Sequence, residues 1–130
     1  MAVRFTSANS TYRVNLNRPT GNLTVATWFK VSVDRNTYST IFSVDGGGPT
    51  DGLVVAQTDD DGTTLQVFPV DSGAINIPLT IGTWYFLGVT VSGTTATVRV
   101  RAQGGATFSS GSVPLIGAVE QHRLLIGTSS

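Results

Sequence analysis

Cysteine is absent from this chain, and histidine and glutamate each occur once. Each scarcity removes a class of chemistry. Without cysteine there can be no disulfide, no thiolate nucleophile and no cysteine-ligated zinc. His122 is the only base available to a Ser-His-Asp system, and no Gly-x-Ser-x-Gly elbow accompanies it. It reads as a surface or loop histidine. Glycoside hydrolysis needs two carboxylates about 5–10 Å apart across the scissile bond. Glu120 is the sole glutamate, so only aspartates could make such a pair. The expectation is a protein that is not an enzyme.

Charge is scarce as well. Charged residues make up 12% of the chain, against roughly 25% in an average soluble domain. Eight basic residues balance eight acidic ones. Affinity for nucleic acid comes from neutralising phosphates and would bring a basic excess, so no nucleic-acid partner is expected. Zero net charge also leaves little self-repulsion, which suits a protein that assembles with others. No segment approaches the ~20 apolar residues of a membrane span. Met1-Ala2-Val3-Arg4-Phe5 leads directly into alternating residues instead of the apolar core of a secretory signal. Read as a native start, it implies a product made in the cytoplasm.

What is present is period-two alternation in a Thr-, Ser-, Val- and Gly-rich chain, the texture of strands joined by tight turns. A first strand is expected over residues 3–14. Leu23, Val25, Thr27, Phe29, Val31 and Val33 then share one face of a long strand, with Thr24, Ala26, Trp28, Lys30 and Ser32 on the other. Strands follow over 38–44, 53–58 and 63–70, the last two flanking the Asp59-Asp60-Asp61-Gly62 hairpin signal. Ile75, Ile77, Leu79 and Ile81 alternate, and Pro78 marks an edge strand or connection. Residues 84–91 and 96–101 flank Ser92-Gly93-Thr94-Thr95 as a second hairpin, with Val98 and Val100 opposite Thr97, Arg99 and Arg101. A weaker strand covers 108–115, and Leu124-Leu125-Ile126 forms a short last one. Such spacing without helices predicts one all-β domain over residues 1–130, a two-sheet antiparallel sandwich.

Four pieces carry a resemblance: Leu23-Thr24-Val25-Ala26-Thr27-Trp28-Phe29-Lys30, Thr40-Ile41-Phe42-Ser43-Val44-Asp45, Ile81-Gly82-Thr83-Trp84-Tyr85-Phe86-Leu87-Gly88-Val89-Thr90, and Arg123-Leu124-Leu125-Ile126-Gly127. In this order they resemble the laminin-G-like, concanavalin-A-like jelly-roll family. That family usually adds one more strand after its "I-G" strand, pairing beside the first. Residues 128–130 are too few for it, so the jelly roll is expected to lack its last strand, to receive it from another chain, or to replace it by a rearranged pairing. The unsignalled start, the missing cysteine and the Thr/Gly texture also look like bacteriophage structural proteins, notably those of actinobacteriophages. This resemblance implies a virion component, a minor tail or capsid decoration protein, assembling through its sheet edge with other virion proteins or copies of itself. The alternative is a lectin-like module that holds cell-surface glycan in its rim loops and works outside the cell.

Candidate binding residues follow from exposure and chemistry. Tyr38 near a strand start could sit at a rim, and Arg99 and Arg101 share a strand face suited to an anionic glycan. Asp45 and Asp51 bracket a glycine-rich loop. No cofactor is expected. Calcium is the one metal these aspartates would suit, since it takes six to eight oxygens in a bent loop and many members of the resembling family bind it near a rim. Asp59, Asp60 and Asp61 form a second carboxylate cluster, read as a solvated hairpin tip. Trp28 and Trp84, inside long strands, are expected in the core. Asn9-Ser10-Thr11 and Asn22-Leu23-Thr24 match the glycosylation sequon, a pattern common by chance in such a chain.

Overall fold

Alternating side chains need two layers to bury their apolar halves, and this chain supplies them as two antiparallel sheets. A computed structural model describes residues 11–18, 22–30, 39–45, 53–57, 64–69, 75–115 and 121–127. Its elements are β1 (Thr11–Arg18), β2 (Leu23–Lys30), β3 (Ser39–Asp45), β4 (Leu53–Gln57), β5 (Thr64–Pro69), β6 (Ile75–Pro78), β7 (Trp84–Ser92), β8 (Thr95–Ala102), β9 (Ser109–Pro114) and β10 (Gln121–Gly127). One sheet has the order β1-β10-β3-β4-β5-β6 and the other β2-β7-β8-β9. No helix occurs among the described residues.

Two meanders, β3 to β6 and β7 to β9, form most of the sandwich. The chain changes sheet after β1, β2, β6 and β9, and β10 returns to lie between β1 and β3. The β7–β8 hairpin is the one its sequence announced. Ser92 pairs with Thr95, and Gly93 between them takes φ +57°, a left-handed turn conformation that glycine adopts without steric cost. β6, which ends at Pro78, is an edge strand as proline requires. The long strand expected to reach Val33 is described only to Lys30. Of the first strand expected over residues 3–14, residues 3–10 lie outside the described residues, as do the Asp59–Gly62 turn and anything after Gly127, and β1 runs past Val14 to Arg18.

The core fills the space between the sheets. Phe42, Val44, Val55, Leu65 and Ile77 come from the larger sheet. Leu87, Val89, Val91, Ala96, Val98, Val100 and Val113 meet them from the smaller one. Tyr85 stacks on Phe29 with ring centroids 5.7 Å apart. Its hydroxyl accepts a 2.8 Å hydrogen bond from the Thr80 N–H, so its polar end is satisfied at the core margin. Where the sandwich closes, β9 approaches β6 so tightly that a Cβ on Gly111 would lie 2.9 Å from Ile75 Cγ2.

Candidate functional site

The outer face of the four-stranded sheet is built from the residues that the core leaves over. Strand register sorts them into rows running across the strands. Thr24, Thr90, Thr97 and Ser112 form the first row, all hydroxyl-bearing. Ala26, Gly88, Arg99 and Ser110 form the second. Trp28, Phe86 and Arg101 form the third, and Lys30 pairs with Trp84 in the fourth. Successive rows lie two residues apart along the strands, about 7 Å.

Side-chain size turns these rows into relief. Ala26 and Gly88 carry almost nothing above the sheet, so the second row is a trough. Its groove has a volume of about 560 Å³ and reaches from Thr24 and Thr90 on one side to Phe86 and Phe108 on the other. The hydroxyl wall is held by two contacts, Thr24 Oγ1 to Thr90 Oγ1 at 3.4 Å and Thr97 Oγ1 to Ser112 Oγ at 3.1 Å. Each hydroxyl has one donor and two acceptor positions, so both pairs keep capacity for a ligand.

The opposite wall is aromatic. Trp28 meets Phe86 edge-on at 5.6 Å, and Phe86 meets Phe108 edge-on at 6.4 Å. The Arg101 guanidinium lies 4.8 Å from the Phe108 ring centroid, a cation–π contact that holds both groups in place. Beyond the wall, Trp28, Trp84 and Gln103 border a second hollow of about 300 Å³. The Gln103 N–H donates to the Trp84 carbonyl at 2.8 Å, tying this corner to β7.

The charge on this face has one sign. Among its described residues Lys30, Arg99 and Arg101 are charged and no carboxylate is present. Arg99 rises from the trough floor with no acidic partner among the described residues. A guanidinium there offers a planar fork of donors to carboxylate, sulfate, phosphate or paired hydroxyls.

The sequence-derived candidates separate on this framework. Arg99 and Arg101 come together on the face, as their shared strand side required. Asp45 ends β3 in the other sheet, where its backbone pairs with Arg123. Its side chain, together with Tyr38 and Asp51, lies outside the described residues. Among the described residues no group of three metal-ligating side chains occurs. His122 is in β10 rather than in a loop.

The expected core positions of Trp28 and Trp84 are corrected. Trp28 is 50% exposed and Trp84 41%. Alternation groups Trp28 with Thr24, Ala26 and Lys30, and the structure turns that face away from the core. Phe86, Gly88 and Phe108 were missed as site residues. A glycine inside a strand, which marks a place where a ligand or another backbone can approach, was the available signal for Gly88.

No family model matches the chain, and no curated protein does either. Among solved structures, the mouse laminin alpha1 chain, domains LG4-5, matches at a TM-score of 0.64 and 18% sequence identity. The match covers 92% of this chain and 32% of that one, so the chain spans about a third of the laminin structure. The likeness is one of fold: this chain is an all-β, antiparallel, laminin-G-like jelly-roll sandwich.

Proposed function

We propose that the domain is a non-catalytic recognition module that binds carbohydrate across the outer face of the four-stranded sheet. The trough carries this reading, because its two walls match the two faces of a sugar. Pyranose rings present CH patches that pack on aromatic rings, and hydroxyls that exchange hydrogen bonds with a polar row. Trp28, Phe86 and Phe108 supply the first, and the Thr/Ser row the second. Arg99 between them favours saccharides bearing carboxylate, sulfate or phosphate.

In this reading the glycan lies on the sheet face; the rim-loop candidates Tyr38, Asp51 and the Asp45 side chain lie outside the described residues. The virion reading is compatible with it: a bacteriophage tail or capsid decoration protein would use such a face against a host cell surface. The observation that favours assembly is the edge of β2 beside the trough, which no other described strand pairs.

A glycan array that includes bacterial surface polysaccharides tests the proposal. Binding should concentrate on acidic glycans and disappear in a Gly88→Val variant that retains its fold. No binding across the array, or binding equal in both proteins, would overturn it.

A further inference from the structure

We infer that two copies of this chain pair through β2, joining their smaller sheets into one continuous sheet and their troughs into one groove. The pairing rests on the strand edge alone, and only the joined groove rests on the carbohydrate reading.

Sheet edges invite pairing unless something blunts them, such as shortness, proline, charge or a bulge. Among the described residues the two sheets end in β1, β6, β2 and β9. β6 has four residues and ends in Pro78. β9 runs Ser-Ser-Gly-Ser-Val-Pro and ends in Pro114. β1 contains Arg13 and Arg18, and its register with β10 shifts between Asn15 and Arg18. β2 has none of these devices. Its eight residues include no proline or glycine, its only charge is Lys30 at the end, and its register with β7 is unbroken.

The core is also thin here. Leu23, Val25 and Thr27 point inward but are only half-buried. Leu87, Val89 and Val98, one or two strands further in, are 0–1% exposed. A strand added beside β2 would finish covering them.

A second β2 fits that place by its own sequence. An antiparallel pairing centred on Ala26 uses Leu23 to Phe29, setting Leu23 opposite Phe29 and Val25 opposite Thr27 on the core side. On the outer side Thr24 meets Trp28, and Ala26 meets Ala26 of the other copy. The two Lys30 residues fall at opposite ends, about 27 Å apart at 3.4 Å per residue, beyond the screening distance of about 8 Å at physiological salt. Zero net charge adds no opposing repulsion. In this register the Ala26-Gly88-Arg99-Ser110 row of one copy runs directly into that of the other.

The absence of cysteine makes the register testable in the full chain. Opposed residues in an antiparallel pair have Cα atoms about 4.5–5.5 Å apart, inside the range a disulfide spans. Ala26→Cys should therefore oxidise almost completely to a covalent dimer. Ser112→Cys, on the outer side of β9, should cross-link at least tenfold more slowly. Light scattering should give a dimer mass for the unmodified chain. A monomer mass is expected for Thr27→Lys, which puts a charge on the inward side of the edge, with circular dichroism verifying its fold. A monomeric unmodified chain, or equal cross-linking of the two cysteine variants, would overturn the pairing, as it would if another segment or a foreign strand covered β2. Glycan binding by a monomer would leave the carbohydrate reading standing, and a dimer without glycan binding would do the reverse.

Discussion

Replacing Gly88 by valine should move stability and binding in opposite directions. Gly88 lies in the middle of β7, on the outer face. A Cβ there would meet only Phe86 Cε1, at 3.6 Å, an ordinary contact. Glycine inside a strand is unfavourable by roughly 0.5–1 kcal/mol relative to alanine, and valine suits a pleated surface better still. The variant should therefore be about 0.5–1 kcal/mol more stable, raising Tm by roughly 2–6 °C for a domain of this size. The same methyl groups would fill the trough floor between Ala26 and Arg99. Glycan affinity should fall more than tenfold, a loss above about 1.4 kcal/mol. Thermal melts and isothermal titration with an array-positive saccharide measure the two effects. A loss of more than about 1 kcal/mol of stability would mean that position 88 is packed instead of open. Undiminished affinity would mean that the ligand sits elsewhere.

Arg99→Gln should weaken binding of acidic glycans several-fold and flatten its dependence on salt, measured by titration at two ionic strengths, because exposed charge pairs are screened. Leu87→Ala, at a fully buried position, should cost about 2–5 kcal/mol in urea unfolding. Gly111→Ala should cost about 1–3 kcal/mol by crowding Ile75. In a double-mutant cycle Ile75→Ala should relieve part of that cost, with a coupling of at least 0.5 kcal/mol. Strict additivity would remove the close approach of β9 and β6 from the account.

Local features were legible in the sequence and long-range ones were not. The β7–β8 hairpin followed from alternation around Ser92-Gly93-Thr94-Thr95, and the outward setting of Arg99 and Arg101 from Val98 and Val100 between and beside them. Pro78 left an edge strand or a connection open, and β6 is an edge strand among the described residues. The trough could not be read in advance, because it depends on the β2–β7 register, which brings Ala26 opposite Gly88 from far along the chain. Nor could the insertion of β10 between β1 and β3. Trp28 and Trp84 were misplaced for a different reason. Their apolar surface argued for burial, but period two in a half-covered sheet decides the side first, and these tryptophans fall on the uncovered side. Large exposed aromatics on one face are then evidence of a binding surface.

The two tryptophans of the chain, Trp28 and Trp84, both stand at this face and so report on the central claim. In a Trp84→Phe variant, Trp28 is the sole indole emitter. Acrylamide should quench it efficiently in the free protein, as a half-exposed ring requires. Saturation with an array-positive acidic saccharide should reduce that quenching and shift the emission to shorter wavelength. A Trp28 that resists quenching without ligand, or quenching unchanged at saturation, would contradict a carbohydrate site on the outer face of the four-stranded sheet.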